Sequence, residues 1–378
     1  TEIYTLSLHD ALPISALFAV LAAINSAGYD AEIDSPTNHP LRAEMRRVIQ
    51  AKNPPSLARL KTFFRDSRQG DWNAELSRYI SFALTSGPPP SFKPKYDPAQ
   101  MPPDVLALEP VRPMLAEFWA EAGLEQYWRA AQPAYDEVIA RYQEPVINAI
   151  LSANLYLRNP TSGMAGRRFQ IYIDLLGAPN QVHARSYLDD YFVVVTPSVR
   201  PRVEEIRHAY LHYLLDPLSI RYQTKLEPKK GLGDFAHASP ILAEQYKNDF
   251  VLLAGMSLVK AVEAKLDRQA QKVDAAMSEG FILTAYFHEA LGVYEKQEQA
   301  LRLYLPAMID AIDVSREDKR IAGVKFAESR TARVVRPAPQ AVPELSEADK
   351  TFEAAEAAYR GKDFEKAKSG YRGLIQTK

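Results

Sequence analysis

Two histidines spaced four residues apart are the side chains of this sequence best placed to do chemistry. His208 and His212 lie in the stretch EEIRHAYLHYLLDP, whose apolar spacing predicts a helix. Side chains four residues apart project from one helix face, so both imidazoles would point the same way. That is the arrangement of two zinc ligands on a helix. The same spacing also fits two half-buried histidines that only pack the helix, as the neighbouring tyrosines do.

Carboxylates that could complete a metal site lie before and after this pair. Glu263 lies on the next long predicted helix, 51 residues beyond His212. Glu205 lies one helical turn before His208 and could act as a ligand or as a base. Acidic residues in a first turn are also common because they interact favourably with the helix dipole.

The other histidines are weaker candidates. His237 lies in GDFAHASP, and His288 is followed by Glu289 in AYFHEALGVYEK. An isolated histidine is more often a surface residue or a polar group satisfied within the fold. The sequence contains no cysteine, so any metal must be bound by histidines and carboxylates.

Two stretches rich in aromatic and β-branched residues precede the histidine helix. RRFQIYIDLL at 167–176 and SYLDDYFVVVTPS at 186–198 predict two or three strands. The stretch GAPNQVHA between them is rich in turn residues, so we expect the strands to be antiparallel. The histidine helix is predicted over 201–218, with its end at Asp216-Pro217.

The rest of the chain is mainly helical in its apolar spacing. Helices are predicted within 16–84 and 111–151, and long helices at 240–268 and 279–314. The Pro-rich stretch 86–105 predicts a surface excursion and a possible boundary within the domain. Two prolines in the second helical region predict breaks or helix starts, at Pro133 and Pro145. The predicted fold class is α+β, mostly helical, with a small antiparallel sheet before the histidine helix.

A strand, a His-x-x-x-His helix and then a carboxylate-bearing helix, over about 165–270, resemble the zincin metallopeptidases of the gluzincin type. The resemblance implies a zinc ion bound by His208, His212 and Glu263. If the family's ligand position is instead at Met256, one heptad earlier on about the same face, the site lacks its third ligand. In a gluzincin the residue after the first histidine is the glutamate that acts as general base, and here it is Ala209. We therefore expect a degenerate domain without peptidase activity.

Two other functions stay open at this point. One is an active zinc-dependent peptidase that uses a substitute base such as Glu205. The other is a purely structural helical scaffold in which the histidines bind no metal. Metal content would separate the scaffold from both zinc-binding alternatives.

The C-terminal residues 346–378 resemble one tetratricopeptide repeat, after a Pro/Ala linker at 331–345. The matching positions are Ala355, Tyr359, Gly361, Phe364, Ala367 and Tyr371. The resemblance implies protein or peptide partners. About three such repeats are needed for a stable stack, so we expect a truncated array. A zincin-like domain joined to such repeats is also similar to an uncharacterised bacterial family.

The N-terminal residues Thr1–Ser15 resemble a sequencing adapter translated in one frame. We therefore expect a fragment whose domain begins at residue 16 and extends to 330, and His9 and Asp10 are not site candidates. The apolar segment ALFAVLAAI that follows predicts a buried helix that ends at Gly28.

Composition excludes several classes of function. The chain has 378 residues, of which 47% are apolar and 25% charged, with a net charge of −1. This charge gives no basic field for nucleic acid. No apolar run approaches the roughly 18 residues of a membrane span. The absence of cysteine is compatible with a periplasmic or secreted protein, and the localisation stays open.

Overall fold

The computed structural model describes residues 12–159 and 167–328, and five isolated helical positions further on: Ala354, Ala358, Lys366, Lys368 and Ser369. The chain divides into two units, Thr1–Glu328 and Ser329–Lys378. Residues 1–11 of the adapter-like segment, the predicted linker and, apart from those five positions, the predicted repeat lie outside the described residues. The helices and strands whose bounds are described belong to the first unit.

Within residues 12–159, seven helices precede the sheet: α1 (Leu12–Ala27), α2 (Pro40–Lys52), α3 (Ser56–Ser67), α4 (Trp72–Leu84), α5 (Pro103–Leu106), α6 (Val111–Ala122) and α7 (Leu124–Leu157). Residues 16–24 of α1 are all buried, as is typical of a helix surrounded by the core. Helices α2, α3, α4 and α6 pack around it. The prediction of a buried first helix is confirmed. It ends before Gly28, whose φ of 118° suits glycine.

Helix α7 runs through Pro133 and Pro145, so the prediction that these prolines break the helix is wrong. A proline inside a helix lacks the N–H donor and costs about 3 kcal/mol. Packing of a continuous apolar stripe offsets this cost. Its buried residues recur every three or four positions: Trp128, Ala131, Tyr135, Val138, Tyr142, Val146, Ile150, Ala153 and Leu157.

The Pro-rich stretch 86–105 is more than a surface excursion. Its Phe92 is fully buried, and the centre of its ring lies 6.3 Å from that of Trp119 in α6. A short 3₁₀ helix at Pro98–Gln100 and helix α5 also interrupt it. The buried phenylalanine anchors this stretch to the N-terminal helices.

The described residues contain one mixed sheet of three strands: β1 (Arg168–Ile173), β2 (Val182–Tyr187) and β3 (Asp190–Val195), in the order β1–β3–β2. Strands β2 and β3 are antiparallel, but β1 and β3 are parallel, which corrects the antiparallel prediction for that pair. The reason lies in the stretch between the two predicted runs. Part of it forms β2, so the chain reverses direction twice before β3 pairs with β1.

Strand β3 lies at the centre of the sheet. Its residues Phe192, Val193, Val194 and Val195 are almost fully buried. A continuous buried run of this kind is typical of a strand covered on both faces. Helix α4 contacts β2, and helix α7 contacts β1. The fold is thus α+β, with mostly helices and a small mixed sheet.

Eight helices follow the sheet within residues 167–328: α8 (Val203–Arg221), α9 (Gln223–Leu226), α10 (Glu244–Asn248), α11 (Phe250–Leu266), α12 (Gln271–Glu279), α13 (Thr284–Tyr294), α14 (Leu301–Asp310) and α15 (Val314–Ile321). Helix α8 continues through Pro217, so the predicted end at Asp216-Pro217 is wrong. The helix predicted at 240–268 is divided into α10 and α11, because the side chain of Asp249 caps a new helix start.

The helix predicted at 279–314 is also divided. Helix α13 ends at Tyr294, and α14 begins only at Leu301. In the described part of the chain, no helix is both long enough and apolar enough to cross a membrane.

The buried His183 makes the stability of the fold sensitive to acid. It lies on β2, and burial, with the charge of Arg185, lowers its pKa to about 3. Between pH 6.5 and 3 the unfolded chain binds a proton that the folded chain does not, so stability falls as the pH falls. From pH 7 to pH 5 we expect this group to cost about 2 kcal/mol.

The variant His183→Gln removes this titration. In urea unfolding at both pH values, the wild type should lose about 2 kcal/mol more than the variant does. Equal losses in the two proteins would show that His183 takes up its proton in the folded state.

Candidate metal centre

Aromatic packing on the sheet sets the rotation of α8. The ring of Phe169 on β1 lies 5.0 Å from that of Tyr210 and 5.4 Å from that of Tyr213. Tyr191 on β3 lies 5.9 Å from Tyr213. Because these residues turn one side of α8 toward the sheet, the stripe that carries the two histidines is directed elsewhere.

Helix α11 packs against α8 next to the histidine pair. Near its start, the missing side chain of Gly255 leaves room for Ser219 of α8, since a Cβ there would lie 3.1 Å from the Ser219 Oγ. Near its end, Glu263 reaches His208. The two helices therefore run antiparallel and in contact along their length.

Each histidine ring is bound at Nδ1 by a carboxylate. The Nδ1 atom of His208 lies 2.9 Å from Oε1 of Glu263. The Nδ1 atom of His212 lies 2.9 Å from Oδ1 and 3.0 Å from Oδ2 of Asp216. Because an ionised carboxylate can only accept, the hydrogen-bond geometry assigns a ring proton to each Nδ1.

The two Nε2 atoms face each other at a distance of 3.2 Å. With the protons held at Nδ1, each Nε2 of a neutral ring presents a lone pair. Two lone pairs at this distance repel unless a cation lies between them. Either a shared proton or a metal ion meets that need.

The charges around Glu263 favour its ionised form. Burial raises the pKa of Glu263, but the hydrogen bond from His208 and the positive charges of Lys260 and Arg207 lower it, so the pKa lies below the usual value. This is the state in which Glu263 accepts the proton of Nδ1. Its side chain is 14% exposed, so the contact is largely shielded from water.

A second ion-pair network lies next to the histidines. Arg207 contacts Asp267 at 2.6 Å, and Asp267 contacts Lys272 of α12 at 2.6 Å. Burial raises the pKa of Asp267, but the hydrogen bonds from Lys272 and Arg207 lower it below its usual value. This network joins α8, the end of α11 and α12 without contacting either imidazole.

The histidine pair fits two positions of a metal centre. Two nitrogen ligands about 2.0 Å from a tetrahedral zinc ion are about 3.3 Å apart. The observed 3.2 Å between the Nε2 atoms is close to that separation. Glu263 does not fit the predicted role of third ligand, because Nδ1 and Nε2 lie on opposite sides of the ring. Among the described residues, no group of three histidines or carboxylates is arranged around one metal position.

The carboxylate of Glu205, the candidate for a substitute base, is paired with Arg202. Ala209 is buried, and Met256 is buried on α11. Ala209 follows the first histidine, and its methyl side chain has no group that could accept or donate a proton.

The weaker histidine candidates lie elsewhere. His237 is exposed in a 3₁₀ helix, and His288 lines an open cavity of about 740 Å³ together with Lys265. Glu289 is paired with Arg316 and Arg320. In residues 12–159 and 167–328, none of these three candidates is hydrogen-bonded to the histidine pair.

Asp216 is the site residue that sequence reasoning missed. It lies four residues after His212, so the same spacing that pairs the two histidines also places it on their stripe. Because a proline follows it, a helix end at this position was the simpler prediction.

The comparisons with protein-family models, with curated proteins and with solved structures found no match to this chain.

Proposed function

We propose that the first unit of this protein is a metal-binding module related to zincins, in which His208 and His212 bind zinc and peptidase activity has been lost. One observation carries this proposal: the Nε2 atoms converge at 3.2 Å while carboxylates hold both Nδ1 atoms. Metal-binding histidines almost always donate their other N–H in this way. A pair that only packed the helix would not need both protons directed away from the gap.

Charge balance supports a divalent cation. Glu263 and Asp216 bring two negative charges, and the two neutral imidazoles bring none. Both carboxylates would attract a cation placed between the two rings. Imidazole nitrogens suit zinc, copper, nickel and iron among the common protein-bound metals.

The order of the elements supports the zincin relationship. Strand β3 leads into α8, which packs on the sheet, and α11 lies antiparallel to α8 with a carboxylate beside the first histidine. The loss of peptidase activity is proposed because Ala209 occupies the position of the general base. The substitute base considered above, Glu205, is already paired with Arg202.

The proposed partners depend on the sequence alone. Residues 346–378 resemble a tetratricopeptide repeat, and such repeats bind proteins or peptides. We propose that this segment recruits a protein partner to the metal-binding module.

Elemental analysis of the purified full chain tests the proposed function. After incubation with zinc and desalting, the wild type should retain about one zinc ion per chain, and His208→Ala/His212→Ala should retain none. The matched control, His237→Ala/His288→Ala, removes two histidines outside the centre and should retain the metal. A wild type that holds no zinc, and whose melting temperature zinc does not raise, would overturn the proposal in favour of a structural scaffold.

The same preparation separates the degenerate module from an active peptidase. The zinc-loaded wild type should not hydrolyse casein. Hydrolysis that is lost in His208→Ala/His212→Ala would contradict the proposed loss of activity. Glu205→Gln would then show whether Glu205 supplies the base, since glutamine cannot accept a proton.

A further inference from the structure

We propose that Asp216 and Glu263 are a matched pair of positioning residues, each of which fixes one histidine with its proton on Nδ1 and its Nε2 toward the same metal ion. This inference rests on the proposed metal binding, but it concerns two residues that the zinc ligands alone do not explain. It also changes the role of Glu263, from a ligand to a hydrogen-bond partner of a ligand. The sequence-based prediction did not include Asp216.

The contact between Asp216 and His212 lies within helix α8. Both carboxylate oxygens lie within 3.0 Å of Nδ1 of His212, so the ring is held from one side by an acceptor on its own helix. Residues four apart meet on a helix surface without help from the rest of the fold. Asp216 is 40% exposed, so water competes for this contact.

The contact between Glu263 and His208 depends on the packing of two helices. It reaches Nδ1 of His208 from α11, and its side chain is 14% exposed. The two helices approach closely at Gly255 and Ser219, which fixes the level at which Glu263 meets His208. The orientation of His208 is therefore set by the packing of α11 on α8, and that of His212 by α8 itself.

Together the two carboxylates leave only Nε2 free on each ring. An isolated pair of histidines on a helix would sample both tautomers and several ring orientations, and only one combination presents both Nε2 atoms to one ion. Each carboxylate removes the wrong tautomer of one ring. Loss of such a partner typically lowers metal affinity about 10-fold to 100-fold.

The test uses the full chain, with zinc alone as the probe. Zinc affinity is measured by competition with a chromophoric chelator for the wild type, Asp216→Ala, Glu263→Ala and the conservative variants Asp216→Asn and Glu263→Gln. Each alanine variant should bind zinc about 10-fold to 100-fold more weakly. The amide variants should recover part of the loss, because the amide oxygen still accepts from Nδ1.

Nitrogen NMR of the imidazoles provides a readout that a merely structural role would not change. In the wild type, with and without zinc, both rings should carry a proton on Nδ1. Asp216→Ala should remove the preference for the Nδ1-protonated tautomer at His212 alone. Glu263→Ala should remove it at His208 alone. Asp267→Asn is the matched control, because it weakens the neighbouring contact between α8 and α11 without touching an imidazole, and it should change neither ring.

The outcomes separate this inference from the proposed function. Zinc binding by the wild type with a less than 3-fold change in both alanine variants, or zinc bound through Nδ1, would overturn the positioning role alone. A wild type that binds no zinc would overturn the proposed function. The tautomers of the metal-free protein would then still decide whether the two carboxylates orient the rings.

Discussion

Replacing Glu75 by alanine is expected to lower the free energy of unfolding by about 3–5 kcal/mol. The Glu75 side chain is fully buried and accepts from Nη2 of Arg78 and from the backbone N–H of Gln69, each at 2.7 Å. Without Glu75, the buried guanidinium of Arg78 keeps its charge but loses its counter-ion. Urea unfolding at pH 7, with an unchanged dependence on urea, would measure the loss.

Two variants test the reason for this effect. Glu125→Ala removes the acidic partner of the exposed pair with Arg129 and should change stability by less than about 1 kcal/mol. The double variant Glu75→Leu/Arg78→Leu removes both buried charges and should be more stable than Glu75→Ala alone. A double variant that is less stable than the single variant would contradict the explanation by an unpaired charge.

Replacing Gly280 by alanine is expected to cost about 3 kcal/mol, by two effects of similar size. Gly280 follows α12 with a φ of 113°, a conformation that strains any residue with a Cβ. The new Cβ would also lie 2.9 Å from Cβ of Ser239 and 3.0 Å from a methyl of Leu242. These neighbours belong to the folded core next to α12, so the clash cannot be relieved by the movement of one flexible side chain.

Gly231→Ala is the matched control for that prediction. Its Cβ would meet no atom within 4 Å, and its φ is not positive. We expect it to be neutral or slightly stabilising, because alanine reduces the freedom of the unfolded chain. Thermal unfolding of both variants would show the difference, and similar melting temperatures would argue against strain at Gly280.

The elements that sequence reasoning predicted well are those with strong local signals. Helix α1 is apolar on all sides and ends before a glycine, and both features are visible without the fold. The pair His208 and His212 could be identified because helical spacing alone places them on one face. Glu263 was associated with them through the resemblance to the gluzincins, which have a carboxylate ligand on the following helix.

The elements that were predicted wrongly depend on contacts between distant residues. The path of α7 through Pro133 and Pro145 follows from the packing of its apolar stripe, whose partners come from several helices. The parallel pairing of β1 with β3 requires β2, whose sequence VHARSY carries mixed polarity. Local propensity is outweighed at these positions by tertiary packing.

In the candidate site, the sequence indicated the residue types but not the atoms. Whether Glu263 meets Nδ1 or Nε2 of His208 depends on the spacing between α8 and α11. That spacing is set partly at Gly255 and Ser219, which carry no metal-binding signal. The sequence did not indicate Asp216 because a proline such as Pro217 usually ends a helix. Here α8 continues through Pro217.

Helix α7 also has a consequence for how the first unit unfolds. Its 34 residues extend over roughly 51 Å. Near its start, the ring of Trp128 lies 5.3 Å from that of Phe18 in α1, and near its end Tyr156 packs on Tyr294 of α13. A single continuous helix thus joins the N-terminal helices to those around the histidine pair. We expect the two regions to melt in one cooperative transition, in which the candidate metal centre and the N-terminal core are lost together.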